Sequence, residues 1–174
     1  MGERVMDDAS GRAVLNGETI HATAVIAGEA GVLILGRSGA GKSRLARGII
    51  ESFHNAGEFA RLVSDDRVVI SQTHGRILAR VCPPIAGLLE VRGWGLSHVP
   101  HEPVAVIDLL ADFDVPAQRC PDICDIMTTL LNISIPRLSL GGVDDPCALL
   151  KWALSQQESL CMAPLWPKDD KNPS

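Results

Sequence analysis

Residues 36–43 read Gly-Arg-Ser-Gly-Ala-Gly-Lys-Ser, the spacing G-x-x-x-x-G-K-[ST] of a phosphate-binding loop. Each residue type has a mechanical task there. Gly36, Gly39 and Gly41 let the backbone curl without Cβ clashes, so that successive N–H groups, including those of Arg37, Ser38 and Ala40, can point at phosphate oxygens. The Lys42 ammonium reaches the β- and γ-phosphates, and the Ser43 hydroxyl suits Mg²⁺. Lys42 is also the only lysine before Lys151. The motif calls for a nucleoside triphosphate or another phosphate donor, and it leaves the acceptor open.

Three further groups carry chemical potential. Ser64-Asp65-Asp66 follows an apolar stretch ending at Val63. The end of a strand beside a phosphate loop is where a Mg²⁺ ligand or general base belongs, although Asp is also common in plain strand-end turns. Adjacent residues on an extended backbone point to opposite sides, so one aspartate is expected to face the nucleotide while the other serves structure or metal. Leu88–Gly95 (LLEVRGWG) joins a carboxylate, an arginine and two glycines. There Glu90 suits Mg²⁺, Arg92 suits phosphate, and Gly93 and Gly95 would admit a ligand close to the backbone; the plainer reading is a strand leaving through a glycine turn. His21 precedes the strand that leads to the loop, and it is either a structural histidine or a site residue.

These residues need elements to position them. Val32–Leu35 reads as a buried strand, and Lys42 to about Ser52 as a helix with Leu45, Ile49 and Phe53 on one face, ending near His54–Gly57. Residues 12–20 read as a first strand with a turn at Asn16-Gly17, and Ala22–Ile26 as a second strand before the Gly28–Gly31 turn. Ala60–Val63 is a strand, Val68–Ile70 and Ile77–Val81 form a hairpin closed by Gln72–Arg76, and Val104–Leu110 is one strand. Asp144-Asp145-Pro146 starts a terminal helix over Cys147–Gln156. All eleven prolines follow Cys82, which predicts a second half cut into short pieces. The expected organisation is one phosphate-loop kinase domain over 1–163 and a flexible tail over 164–174.

The bulk properties narrow the partners. A chain of 174 residues suits one domain with a full core, here mostly aliphatic because it holds three Trp, three Phe and no Tyr. Scarce aromatics and a net charge of −5 argue against nucleic acid. Residues 1–100 are net +1 and residues 101–174 net −6, so the basic groups gather in the half that holds the loop. No apolar stretch has transmembrane length and the first residues lack a signal-peptide pattern, which predicts a cytoplasmic protein away from membranes. The five cysteines (82, 120, 124, 147 and 161) then read as reduced, buried or half-buried thiols, with Cys120 and Cys124 too loosely spaced to define a zinc site. His98 and His101 read as a loop pair around Pro100 rather than as metal ligands.

Taken together, His21, GRSGAGKS, LVSDDRV at 62–68, Pro83-Pro84 and LLEVRGWG resemble the catalytic, C-terminal domain of HPr kinase/phosphorylase over roughly residues 12–140. The resemblance is to the short form found in alphaproteobacteria, without the additional N-terminal domain of long forms. It implies an α/β fold, a phosphate-loop domain with a mixed central sheet of the HPr kinase/PEP carboxykinase type. It implies ATP-dependent phosphorylation of a serine on an HPr-like phosphocarrier of the phosphotransferase system, and reversal by inorganic phosphate. ATP or pyrophosphate as donor and a homo-oligomer, hexameric in that family, are implied as well. By residue, Gly36–Ser43 would hold the nucleotide, Ser43 and Glu90 the Mg²⁺, and Asp66 would be the proton acceptor. His21 and Lys42 match active-site positions, and Arg119 matches the arginine of an Arg-Leu-Gly segment.

The chain departs from the family pattern in places. Arg44 stands where an acidic residue is usual, about five extra residues occupy the region 54–60, and the loop after Gly95 is short. A Pro-Val-Arg-Pro-Gly-Arg segment tied to the phosphorylase direction is reduced to Ile135-Pro136-Arg137-Leu138-Ser139. Two other readings compete. A small-molecule kinase would need an arginine lid, for which Arg76 and Arg80 are the candidates. A regulatory module would bind ATP without transferring phosphate. A GTPase is disfavoured by the lack of an Asn-Lys-x-Asp motif.

Overall fold

Alternate residues of the central strands belong to two different cores, and this sets the layers. Val32 and Ile34 pack with Val25, Leu62 and Ala111 on one side, whereas Leu33 packs with Ala24, Val63 and Leu110 on the other. Strands buried on both faces read as continuous apolar runs, as VLIL does. The computed structural model describes residues 17–156. The beginning of the first expected strand, Cys161 and the 164–174 tail lie outside them.

In chain order the strands are β1 (Glu18–Ile20), β2 (Thr23–Ala27), β3 (Ala30–Leu35), β4 (Ala60–Ser64), β5 (Val68–Thr73), β6 (Arg76–Val81), β7 (Leu88–Val91), β8 (Gly95–His98), β9 (Val104–Ile107), β10 (Leu109–Pro116), β11 (Met127–Leu130) and β12 (Ile133–Gly141). The helices are α1 (Lys42–Asn55), α2 (Ile123–Ile126) and α3 (Pro146–Ser155), with a 3-10 turn at Pro83–Ile85. A six-stranded mixed sheet has the order β11-β12-β10-β3-β2-β4, and a four-stranded antiparallel sheet the order β1-β5-β6-β9. Helices α1 and α3 cover one face of the larger sheet through Leu45, Ile49, Phe53 and Leu150. The smaller sheet covers the other through Val68, Ile70, Ile77 and Ile107. Strands β7 and β8 form a separate hairpin.

This topology gathers several chain segments at one end of the large sheet. Strand β10 runs parallel to β3, and β2 is antiparallel to both β3 and β4. The C-terminal ends of β3, β4 and β10 therefore lie beside the start of β2, at the end where ligands collect in open α/β sheets. Helix α1 begins directly from the loop after β3. Gly41 caps it at φ 106 without a side-chain cap, and its first turn holds no acidic residue, so its leading N–H groups and positive dipole end face the loop.

Four expectations need correction. Val104–Leu110 is two strands in two sheets. The chain changes sheets at Asp108, whose N–H donates to the Gly31 carbonyl at 2.8 Å and whose carboxylate accepts the Gly31 N–H at 2.9 Å. Gly31 permits the crossing, because a Cβ there would stand 1.8 Å from the Val106 carbonyl oxygen. The second half is cut into short pieces as expected in β7, β8, β9, α2 and β11, but not in β10, which has 8 residues, or in β12, which has 9. Pro136 is tolerated because β12 changes neighbours there: β11 pairs with Ile133–Pro136, and β10 takes over from Arg137. The β5–β6 hairpin closes in two residues, His74 and Gly75, both at positive φ, rather than over Gln72–Arg76. Finally, Cys120 and Cys124 are exposed, while Cys82 and Cys147 are half-buried; burial raises the Cys147 thiol above its ordinary pKa. The helix start at Asp145 is as expected, with the Asp145 carboxylate accepting the Ala148 N–H at 3.0 Å.

Candidate functional site

Lys42 opens α1 but bends back under the loop. Its ammonium donates to the Gly36 carbonyl at 2.7 Å, to the Arg37 carbonyl at 3.2 Å and to His21 Nε2 at 2.9 Å. Three donor hydrogens thus meet three acceptors. Burial lowers the Lys42 pKa below its ordinary value, and the nearby carboxylates of Asp66, Asp65 and Asp114 oppose that shift. Because the ammonium must donate, His21 Nε2 accepts, and the ring proton sits on Nδ1. That nitrogen lies 3.0 Å from Asp66 Oδ1 and 3.1 Å from the Asp66 carbonyl. Lys42, His21 and Asp66 form a chain of contacts running from beneath the loop to solvent.

The two aspartates part after the end of β4 at Ser64, where the left-handed Asp66 turns the chain. Asp65 is buried. Its Oδ1 accepts the hydroxyls of Thr23 at 2.6 Å and Ser43 at 2.9 Å, and its Oδ2 accepts the Glu90 N–H at 3.2 Å. Asp66 is exposed and left-handed at φ 65, a region that Asp enters more readily than most residues. The turn that carries it is closed by the Arg67 N–H donating to the Asp65 carbonyl at 2.7 Å.

The other expected residues join this centre to differing degrees. Glu90 is brought in through its backbone, while its side chain is exposed. Arg92, Gly93 and Gly95 form the exposed tip of the β7–β8 hairpin. Both glycines have positive φ, and a Cβ at either would meet nothing within 4 Å, so the turn itself requires them. Arg119 lies exposed five residues beyond Asp114 and, like Arg92, has no hydrogen bond among the described residues. Arg76 and Arg80 form no lid. Arg76 lines a cleft with Glu29 and Asp108 at the opposite end of the sheet, and Arg80 donates to Ser71 Oγ at 2.8 Å. His98 ends β8, and His101 bridges to Leu62.

Two site residues escaped the reading of the sequence. Thr23 is a fully buried hydroxyl in the apolar strand TAVIA, which was a usable signal. Asp114 accepts the Arg37 N–H at 3.1 Å across 77 positions, a contact with no local signature.

The donor set fits Mg²⁺. Ser43 and Asp65 present hard oxygens side by side, and the Ser43 hydroxyl gives its hydrogen to Asp65, leaving lone pairs for an ion. Among the described residues no three His, Cys, Asp or Glu side chains form a metal cage. An ion here would therefore complete its shell from phosphate oxygens and water, as Mg²⁺ commonly does. No helix among the described residues is long and apolar enough to cross a membrane.

A glycine loop between a buried strand and a helix without a side-chain cap, with a carboxylate on its serine and a second carboxylate beyond its lysine, defines an α/β domain with a phosphate-loop arrangement. Residues 13–102 match the family model of the HPr Serine kinase C-terminal domain, and the chain belongs to that family. Curated relatives include HPr kinase/phosphorylase of Clostridium tetani, 41% identical over 70 residues, covering 40% of this chain and 21% of the relative. The Brevibacillus brevis protein of the same name is 42% identical over 82 residues, covering 47% of this chain and 24% of the relative. The matched segment thus spans about a fifth to a quarter of the length of these relatives. Among solved structures, the Hpr(Ser) kinase/phosphatase from Coxiella burnetii superposes with a TM-score of 0.63 at 24% identity, covering 83% of this chain and 98% of that one. That likeness bears out the expected fold, a mixed-sheet α/β domain.

Proposed function

We propose that this chain is an ATP-dependent serine kinase acting on an HPr-like phosphocarrier of the phosphotransferase system. The observation that carries the reading is the exposed Asp66 carboxylate, joined through His21 to the loop lysine at 3.0 and 2.9 Å. A serine hydroxyl attacks well only when a base takes its proton. In this reading Asp66 accepts that proton as the serine oxygen bonds to the γ-phosphorus, the bond to the β-phosphate oxygen breaks and ADP leaves. His21 Nδ1–H holds the carboxylate in place. The loop amides not used within the protein, those of Ser38, Gly39 and Gly41–Ser43, bind the phosphates, and the Lys42 charge beneath the loop offsets the charge that develops on the transferring group. Mg²⁺, held by Ser43, Asp65 and Glu90, supplies further charge neutralisation when bound. Arg92 and Arg119, both exposed cations beyond the loop, contact phosphate or the carrier, with Gly93 and Gly95 shaping that approach.

Labelled γ-phosphate from ATP, supplied with Mg²⁺ and an HPr-type carrier, tests the reading. Serine-dependent labelling is the expected result, with a carrier lacking its acceptor serine as the control. ATP binding without labelling would assign a regulatory module instead. Release of pyrophosphate on adding inorganic phosphate to the labelled carrier tests the reverse direction, and pyrophosphate in place of ATP tests the donor. The reading also includes a cytoplasmic homo-oligomer, for which light scattering gives the copy number.

A further inference from the structure

The end of β10 touches the phosphate loop at more than one point. We propose that Asp114 is a positioning residue that sets the shape of the loop before a ligand arrives; this rests on the reading of the loop as a nucleotide site. The Arg37 peptide is held from both directions. Its N–H donates to Asp114 Oδ1 at 3.1 Å, and its carbonyl accepts the Ala40 N–H at 3.1 Å and the Lys42 ammonium at 3.2 Å. Asp114 is itself anchored, because its own N–H donates to Asp112 Oδ1 at 2.9 Å, and Asp112 lies in register with Leu35, the last residue of β3.

Phe113, between those aspartates, lies against the loop glycines. A Cβ at Gly36 would stand 2.9 Å from the Phe113 Cβ, and one at Gly41 would stand 3.9 Å from its Cζ. At Gly39, by contrast, a Cβ would meet nothing within 4 Å. The base of the loop is therefore fixed against β10 while its crest stays open. Fixing the base in advance reduces the ordering that binding must accomplish. Contrary to the expectation from the motif, the Arg37 and Ala40 N–H groups are committed within the protein, which leaves those of Ser38, Gly39 and Gly41–Ser43 for phosphate oxygens.

The Asp114 carboxylate is also an anion close to a site for anions. Its charge opposes phosphate binding while its hydrogen bond favours it, so two variants separate the effects. Asp114→Asn keeps an oxygen for the Arg37 N–H and removes the charge, whereas Asp114→Ala removes both. Calorimetric titration of the full chain with ATP is expected to give about fivefold weaker binding for Asp114→Ala than for Asp114→Asn, the scale of one lost hydrogen bond. Amide exchange at Arg37–Gly41 should quicken in Asp114→Ala and not in Asp114→Asn, with both variants melting as the parent does. Equal affinities for the two variants would reduce Asp114 to a bystander charge and overturn the proposal, while parent binding would leave the nucleotide reading standing. A parent chain that binds neither ATP nor pyrophosphate would remove both.

Discussion

On one wall of the site, formed by β2, α1 and β7, Asp65 is buried under three hydrogens from Thr23, Ser43 and Glu90. On the opposite wall, one residue later, Asp66 is exposed and its carboxylate has one side-chain partner among the described residues, His21. A carboxylate that accepts three hydrogens in the interior is held still, which suits it to fixing Ser43 and an ion. A carboxylate with free lone pairs at the surface can take up and release a proton. The division follows from a left-handed residue at a strand end: φ 65 at Asp66 turns the chain so that the second side chain leaves the core just after the first enters it. Neighbouring groups of the same type thereby acquire different tasks from their surroundings alone.

Asp66→Asn breaks the open wall and carries the largest expected effect. Asparagine keeps the shape and the His21 contact but cannot accept the serine proton, so transfer to the carrier should slow by about 10²–10⁴. ATP affinity should hold, and the unfolding free energy should move by no more than about 0.5 kcal/mol, because the side chain is exposed. Quench-flow transfer rates, with urea unfolding as the control, provide the check. Unchanged rates would take Asp66 out of the proton-acceptor role.

Asp65→Asn breaks the closed wall in a different currency. Either orientation of the new amide sets an N–H₂ group against a donor that had faced the carboxylate. The expected loss of stability is about 1–3 kcal/mol, read from urea unfolding. Mg²⁺-dependent transfer should fall with it. A variant as stable as the parent would mean that the three donors find other partners, and the contrast between the two walls would dissolve.

How far the sequence announced this contrast differs from residue to residue. The loop, the strand before it and the helix after it were legible because their signals are local and consecutive. The Asp65-Asp66 pair was legible as two carboxylates with different surroundings, but alternation along a strand was the wrong reason: β4 stops at Ser64, and the left-handed Asp66 produces the split. The split at Asp108 was hidden because VAVIDLLA is apolar on either side of Asp108: Val104 and Val106 face outward in β9 yet are as apolar as the buried Ala105 and Ile107, which leaves an apolar run without a period. Strand β12 was obscured by Pro136, and only its position at the exchange of neighbours makes that proline harmless. Asp114 and Thr23 gain their meaning from partners 77 and 42 positions away. Those contacts arise from packing the strands side by side, and no spacing along the chain encodes them.

Lys42 joins the two walls, and its protonation sharpens the comparison with the smallest expected effect. Burial moves its pKa below the ordinary 10.5. A phosphate attracts the ammonium and not the neutral amine, so the lysine contribution to affinity is present below the lowered pKa and fades as pH rises through it. The loss therefore begins before pH 10.5, and it is at most about tenfold per pH unit for one proton. The folding contribution has the opposite slope. The unfolded chain holds the proton more tightly than the buried site does, so folding strengthens with pH between the lowered value and 10.5. Pyrophosphate titrations across alkaline pH, on the parent and on Lys42→Arg, separate these terms. The guanidinium stays charged throughout, and its variant should lose the alkaline decline even if its affinity at neutral pH is weaker. A decline that persists in Lys42→Arg would place the titrating group elsewhere and leave the link between the two walls to His21 alone.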